Sequence, residues 1–345
     1  MASKVFPKDK WETISPSDAG FNTEKLSKAK EWLDENVEKD HYRIAIVRGG
    51  RLVLEWYHNM DSERRLGIAS AAKSVYSNVL GIVVAEGKLP SADARVYDYY
   101  PEMMDVPEGE GPKDERYAFE KDREITFRQL IGNVSGYMKP GEDPGKVFHY
   151  QTYGMNILTH ALAKIYGYYD IRDPEGSPGF KQLIEEKFAP KIGVNWSYSL
   201  GNFDLHDKAR LNIFGYYCNI HTGPLDFARL GWMWCNWGRW EDEQVVPEDW
   251  FRESVKTNQF VLANSPKEGW KYGLGIWTND NDQLWPGLPT NAFTASGAGG
   301  HYLSIFPDYE LVVVQNPGRY RRDKEGTPER GNVTMLRLIL DALET

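Results

Sequence analysis

Apolar positions recur along this chain with two different periods, and the period changes with place. Between residues 21 and 37, Leu26, Ala29, Trp32 and Leu33 fall at helical spacing, and Asn22 stands where a side-chain cap belongs. Residues 43–47 and 51–57 are rich in β-branched and aromatic side chains around Gly49-Gly50, the pattern of a hairpin. Residues 69–86 return to helix: Val75, Val79, Leu80, Ile82 and Val83 give a broad apolar face, and Gly87 supplies a C-terminal stop. From about Asp93 to Pro266 the pattern predicts helices at 127–131, 153–166, 180–188, 224–237 and 248–255. Gly/Pro/Asp-rich loops separate them, most plainly at 141–145 and 173–179. Extended character returns at 271–277, 301–306 and 310–315, with Pro307-Asp308 turning the chain between the last two, and a helix at 332–343 closes it. The expected fold is therefore α+β: an antiparallel sheet flanked by helices, with a large helical insertion. Residues 1–94 and 267–345 form a discontinuous sheet domain and 95–266 a mainly helical one, with the active site in the cleft between them.

Composition narrows the function classes. The formal net charge of -9 argues against nucleic acid or an anionic membrane as partner, since both need basic patches. No stretch approaches the roughly 18 apolar residues that span a bilayer, and the polar opening MASKVFPKDKWETISPSDAG lacks a signal-peptide core, so the expectation is a cytoplasmic protein. Seven His without an HExxH or a Cys/His quartet predict no catalytic metal and no cofactor. Cys218 and Cys235 sit in a Trp-rich stretch and read as buried free thiols. Trp232, Trp234, Trp237 and Trp240, partly at helical spacing, read as core.

One motif carries chemistry. Ser70-Ala71-Ala72-Lys73 opens the second predicted helix, and a separation of three places both polar side chains on nearly the same face, one turn apart. The amine can then reach the hydroxyl, which is a weak nucleophile until a base takes its proton. The helix N-terminus adds free N–H groups where negative charge would develop. An N-cap serine beside a solvated lysine gives the same four letters, so the motif alone does not decide.

Its surroundings do. IASAAKSVYSNVLGIVVAEGKL (68–89) resembles the nucleophile helix of the class C β-lactamase and penicillin-binding-protein superfamily, and ITFRQLIGNVSG (125–136) its T-x-x-x-L-L-x-x-x-S-G segment. FHYQTYGMNIL (148–158) is similar to the second motif, and ASGAGGHYLSIFP (295–307) to the third motif and following strand of esterase-like members. The four stretches occur in the family's order. The resemblance implies that Ser70 is acylated, Lys73 is its partner, and Tyr150 moves protons to and from nucleophile and leaving group. It also implies an oxyanion hole from the backbone N–H groups of Ser70 and Ala298, and substrate contacts from Thr152, Ser296 and Gly297. Tyr137, just after Ser135-Gly136, and His301, after Gly299-Gly300, are further candidates by their place in the chain.

Two positions depart from the family. Thr152 replaces an amide that would offer two donors, and Ala295 replaces the lysine that helps hold a penicillin carboxylate. The expectation is a serine hydrolase acting on a small-molecule ester or amide through an acyl-enzyme. A D-amino-acid peptidase or amidase, a weak β-lactamase, an acyltransferase and a non-catalytic binding protein of the same fold remain as alternatives. No GxSxG elbow is present, against an α/β-hydrolase.

Overall fold

The computed structural model describes residues 4–320 and 333–344. Helix α1 (Thr23–Asn36) starts where the Asn22 side chain accepts the Lys25 N–H. The hairpin β1 (Val37–Arg48) and β2 (Arg51–His58) follows, then β3 (Leu66–Gly67), and a 3-10 turn at Ala69–Ala71 runs straight into α2 (Ala72–Ala85). The middle of the chain holds α3 (Phe127–Ile131), α4 (Tyr153–Ile165), α5 (Phe180–Lys187), β4 (Ser197–Gly201), α6 (Leu211–Phe214) and β5 (Tyr217–Thr222). After them come α7 (Pro224–Cys235), the small hairpin β6 (Arg239–Trp240) and β7 (Glu243–Gln244), α8 (Glu248–Ser254) and α9 (Gln259–Asn264). Strands β8 (Trp277–Thr278), β9 (Phe293–Gly297), β10 (His301–Phe306) and β11 (Leu311–Tyr320) precede the closing helix α10 (Val333–Asp341).

The fold is α+β, built on a six-stranded antiparallel sheet in the order β2-β1-β11-β10-β9-β8 and flanked by helices. Strand alternation divides its side chains between two cores. Ile44, Ile46, Leu311 and Val313 join the cluster formed with α1 and α10, while Ala45, Val47, Val312 and Val314 join the one formed with α2 and α7. Against this second face α7 lies so close that a Cβ on Gly231 would come 2.5 Å from Val312 Cγ1.

Helix α2 is enclosed on every side: all residues from Ala72 to Val83 are buried, polar ones included. Such a helix must satisfy its polar groups internally. Ser74 Oγ donates to Gly275 O at 2.7 Å, and Asn78 Oδ1 accepts from Trp234 Nε1 at 2.7 Å. The nucleophile-motif helix is thereby locked to the β8 side of the sheet and to α7 at once.

The structure departs from the sequence expectation in three places. Residues 271–277 do not form a strand; Gly275, at φ 79°, turns the chain back so that Tyr272 bridges to Trp277, and only Trp277–Thr278 joins the sheet. Strand β9 is absent from the expectation because it is short and ends on Ala295, Ser296 and Gly297, small residues with little strand preference, although Phe293 to Ser296 alternate apolar and polar. The region expected to be mainly helical also contributes β4 and β5, which pair with β3 in a second sheet. The closing helix matches over Val333–Asp341, with Asn332 outside the described residues. Cys218 and Cys235 are buried free thiols whose pKa burial raises to about 12.

Because α7 rests its glycine directly on the sheet, Gly231→Ala should overpack this contact and cost about 1–3 kcal/mol. The check is the urea midpoint at unchanged m-value; an unshifted midpoint would show that α7 has slack over β11.

Candidate active site

The backbone before Ser70 is unusual. Ala69 has φ 48°, a left-handed conformation that a residue with a Cβ rarely adopts. It is held from both ends: Asn219 Oδ1 accepts the Ala69 N–H at 3.1 Å, and the Tyr217 hydroxyl donates to Ala69 O. Both partners lie on β5, so this strand fixes the turn that presents Ser70 at the entrance to α2.

One turn further, Lys73 Nζ donates to Ser70 Oγ at 2.8 Å and to Thr152 Oγ1 at 3.3 Å. Lys73 is only 1% exposed, and desolvation lowers its pKa to about 7. Among the described residues it has no carboxylate partner. Its neighbours are instead aromatic: Nζ lies 5.1 Å from the ring centroid of Tyr150 and 5.3 Å from that of Tyr217. An amine with a pKa of about 7 is about half neutral at pH 7 and in that form can accept a hydroxyl proton, whereas an ordinary lysine is almost wholly charged.

The loop after α3 positions Tyr150. A reciprocal cap starts α3, with Thr126 Oγ1 accepting the Gln129 N–H at 3.2 Å and Gln129 Oε1 accepting the Thr126 N–H at 3.0 Å. Buried Asn133 then grips the residues on both sides of Tyr150. Its carbonyl accepts from His149 N at 2.8 Å, and its Oδ1 accepts from Gln151 N at 2.9 Å. Its Nδ2 donates to the Tyr272 hydroxyl at 2.9 Å, and the Tyr272 ring meets Tyr150 edge-on with centroids 5.8 Å apart. Trp277 packs on Tyr150 at 5.6 Å.

The end of β9 closes the other side. A Cβ on Gly297 would lie 2.0 Å from Ile68 O and 3.2 Å from Ala71 N, so only glycine lets the strand press against the turn that carries Ser70. Ala298, next in line, is exposed, and among the described residues no hydrogen bond occupies its N–H or that of Ser70. Ser296 and Ala295 are buried.

Two of the expected substrate contacts sit elsewhere. Tyr137 is fully buried in the core and its hydroxyl donates to Met103 O at 2.7 Å, so it has no surface to offer. His301 is buried beside Asn316, whose Nδ2 lies 3.4 Å from its Nδ1; burial, aided by Arg43, lowers its pKa to about 4. A strand histidine held neutral in this way is a packing residue. The sequence reading in turn missed Tyr217 and Asn219, which act from a remote strand and carry no local motif, and Asn133, which lies inside the 125–136 stretch but is not singled out by it.

A cleft of about 370 Å³ opens beside this cluster, with Tyr150, Gln151, Thr152 and Tyr153 along one side and Arg116, Lys139 and Phe203 among the facing residues. Among the described residues, no three His, Cys, Asp or Glu side chains gather where they could hold a metal ion, and no helix is long and apolar enough to cross a membrane.

An α+β sheet with an SxxK helix under its edge defines the serine-hydrolase-like superfamily of β-lactamases and penicillin-binding proteins. The chain belongs to the beta-lactamase family, whose profile matches residues 37–316. Similar solved structures include a candidate beta-lactamase from Bacteroides dorei, 17% identical over 94% of this chain and 100% of that one, with a TM-score of 0.68. A penicillin-binding-protein homologue from Caulobacter crescentus is 14% identical over 91% and 96%, at 0.62. A family VIII carboxylesterase is 16% identical over 92% and 96%, at 0.62. These likenesses establish the fold. No curated protein matches the chain in sequence.

The lowered pKa of Lys73 has a consequence for stability. Between about pH 7 and the usual lysine value of 10.5, the unfolded chain binds a proton that the folded one does not, so stability rises with pH across that window and is lost as pH falls. Lys73→Met removes the ionisable group. Its stability relative to wild type should be greatest at pH 6 and shrink towards pH 10, read as the difference between denaturation curves. A difference independent of pH would show that Lys73 keeps an ordinary pKa.

Proposed function

We propose that this chain is a serine hydrolase that cleaves an ester or amide through an acyl-enzyme on Ser70. The observation that carries this reading is the Lys73 amine, buried, free of any carboxylate and 2.8 Å from Ser70 Oγ. In acylation, Ser70 Oγ bonds to the substrate carbonyl carbon as its proton passes to Lys73. The carbonyl oxygen becomes an oxyanion, held by the free N–H groups of Ser70 and Ala298. Collapse of the tetrahedral centre breaks the bond to the leaving alcohol or amine. Tyr150, whose ring lies against the Lys73 amine, gives its phenolic proton to that group and takes the proton held by Lys73, which leaves the amine neutral again. A water then attacks the acyl carbon with the same base accepting its proton, and the acid leaves as Ser70 recovers its hydrogen.

Thr152 fits this scheme as the second acceptor for Lys73, which keeps the amine aimed at Ser70 through the cycle. Gly297 supports it by bringing the Ala298 N–H alongside the turn that carries Ser70. Esters and amides stand ahead of β-lactams because Ala295, fully buried, takes the place of the cation that a penicillin carboxylate would meet.

A fluorophosphonate should add one equivalent of label, at Ser70, and none to Ser70→Ala; peptide mapping reads the outcome, and a label elsewhere would remove Ser70 from the mechanism. Since Lys73 accepts the proton only when neutral, kcat/KM for an aryl ester should climb with pH along a limb centred near 7 and fall about tenfold per pH unit below it. A flat profile from pH 5 to 8 contradicts this.

Lys73 and Tyr150 act on the same proton, so their losses should not add. Lys73→Ala and Tyr150→Phe should each lower kcat at least roughly a hundredfold, with the double variant little worse than the poorer single one. Near-full activity of Tyr150→Phe on every ester tried would assign the proton transfer to another group.

A further inference from the structure

The cleft beside Tyr150 and Thr152 has a charge opposite to that of the chain. The protein carries a net charge of -9, yet the residues lining this cleft include Lys113, Arg116, Lys139 and His149 and no carboxylate. Acids stand on the other side of the same cations: Asp114, Glu115 and Glu142 line the adjoining pocket with Lys113, Arg116, Lys139 and His149. Glu142, outside the cleft lining, lies 3.4 Å from Lys139 Nζ and 2.9 Å from His149 Nδ1. Among the described residues, Lys113 and Arg116 form no ion pair.

Arg116 is built in. Its Nε donates to Met138 O at 2.5 Å, and its Nη2 donates to Tyr137 O and to Gln151 Oε1, each at 3.2 Å. These bonds hold the guanidinium against the residue between Tyr150 and Thr152. Nη1 makes no hydrogen bond among the described residues, which leaves two donors. Lys139 is 3% exposed and is paired with Glu142, whose carboxylate lies 3.4 Å from its Nζ. A half-buried guanidinium with donors to spare gains a charge-assisted bond from an anion that meets them. The cleft also has an apolar patch: Phe203, 51% exposed, stands edge-on to Tyr153 with centroids 6.0 Å apart. A cleft of this volume suits a small molecule with one charged end and a short apolar body.

We infer that the substrate carries a carboxylate that docks on Arg116 and Lys113, with Lys139 behind them, while its ester or amide carbonyl reaches Ser70. The inference rests on the serine-hydrolase reading and gives that site its substrate class. The anion site lies on the second-motif side of the cleft, away from Ala295. A charge-assisted pair with a guanidinium favours the carboxylated substrate by roughly tenfold or more.

The experiment compares kcat/KM for matched esters. Mono-4-nitrophenyl glutarate against 4-nitrophenyl butyrate places the carboxylate in the acyl part; 3-acetoxybenzoate against phenyl acetate places it in the leaving group. At least one carboxylated ester should exceed its neutral counterpart about tenfold, and the arm that does so tells which end of the substrate enters the cleft. The ratio should collapse in Arg116→Gln and in Lys113→Glu. Because Arg116 also ties down the carbonyls of Tyr137 and Met138, the exposed Lys113 is the variant that leaves the fold intact. No preference in either arm, or a preference surviving both substitutions, overturns the inference. Failure of the hydrolase reading is distinguishable: no ester is turned over and Ser70 takes no label. In that event glutarate should still raise the melting temperature of the wild type but not of Lys113→Glu, and equal shifts in the two would overturn the anion site itself.

Discussion

A lysine amine buried without a carboxylate is the constraint around which this molecule is arranged. Desolvation brings Lys73 to a pKa of about 7, and among the described residues no carboxylate offsets it. The surroundings must therefore stabilise a group poised between two protonation states. They do so with weak, polarisable or neutral partners: two hydroxyls, Ser70 and Thr152, and the faces of Tyr150 and Tyr217. An acid in their place would raise the pKa and hold the amine as ammonium.

The rest of the architecture serves to keep that amine dry and aimed. Helix α2 is buried all round because helices and strands from both ends and the middle of the chain close on it. Strand β5 holds Ala69 in its left-handed turn, Asn133 fixes the backbone around Tyr150, and Gly297 lets β9 close the remaining side. Strands β5 and β9 thus fix the Ser70 side from regular elements, while Tyr150 stands on a loop that the Asn133 side chain ties down. The cationic cleft adds a long-range field. On a chain of net charge -9, the lining of this cleft carries Lys113, Arg116, Lys139 and His149.

Local pattern was enough for the sheet hairpin, for α1 with its Asn22 cap, for the SxxK helix and for the ends of β10, because each depends on neighbours a few residues away. It failed where a strand was short and built partly of small residues, as in β9, or where a glycine reversed a segment of strand-like composition, as at Gly275. The same division runs through the site. Ser70 and Lys73 are one helical turn apart, so their meeting is written in their spacing, and Tyr150 and Thr152 are legible through the motif that surrounds them.

What the sequence by itself determined is the α+β class, the helix that brings Ser70 and Lys73 together, and the short stretches that resemble a known superfamily. Only the tertiary structure decided the rest. It withdrew Tyr137 into the core and His301 against Asn316, drew Tyr217, Asn219 and Asn133 into supporting positions, and faced Arg116, Lys113 and Lys139 onto one cleft. The physical reason is separation along the chain. Desolvation, which sets the state of Lys73, and charge complementarity, which sets the character of the cleft, are sums over residues far apart in sequence, and neither leaves a trace in any local pattern.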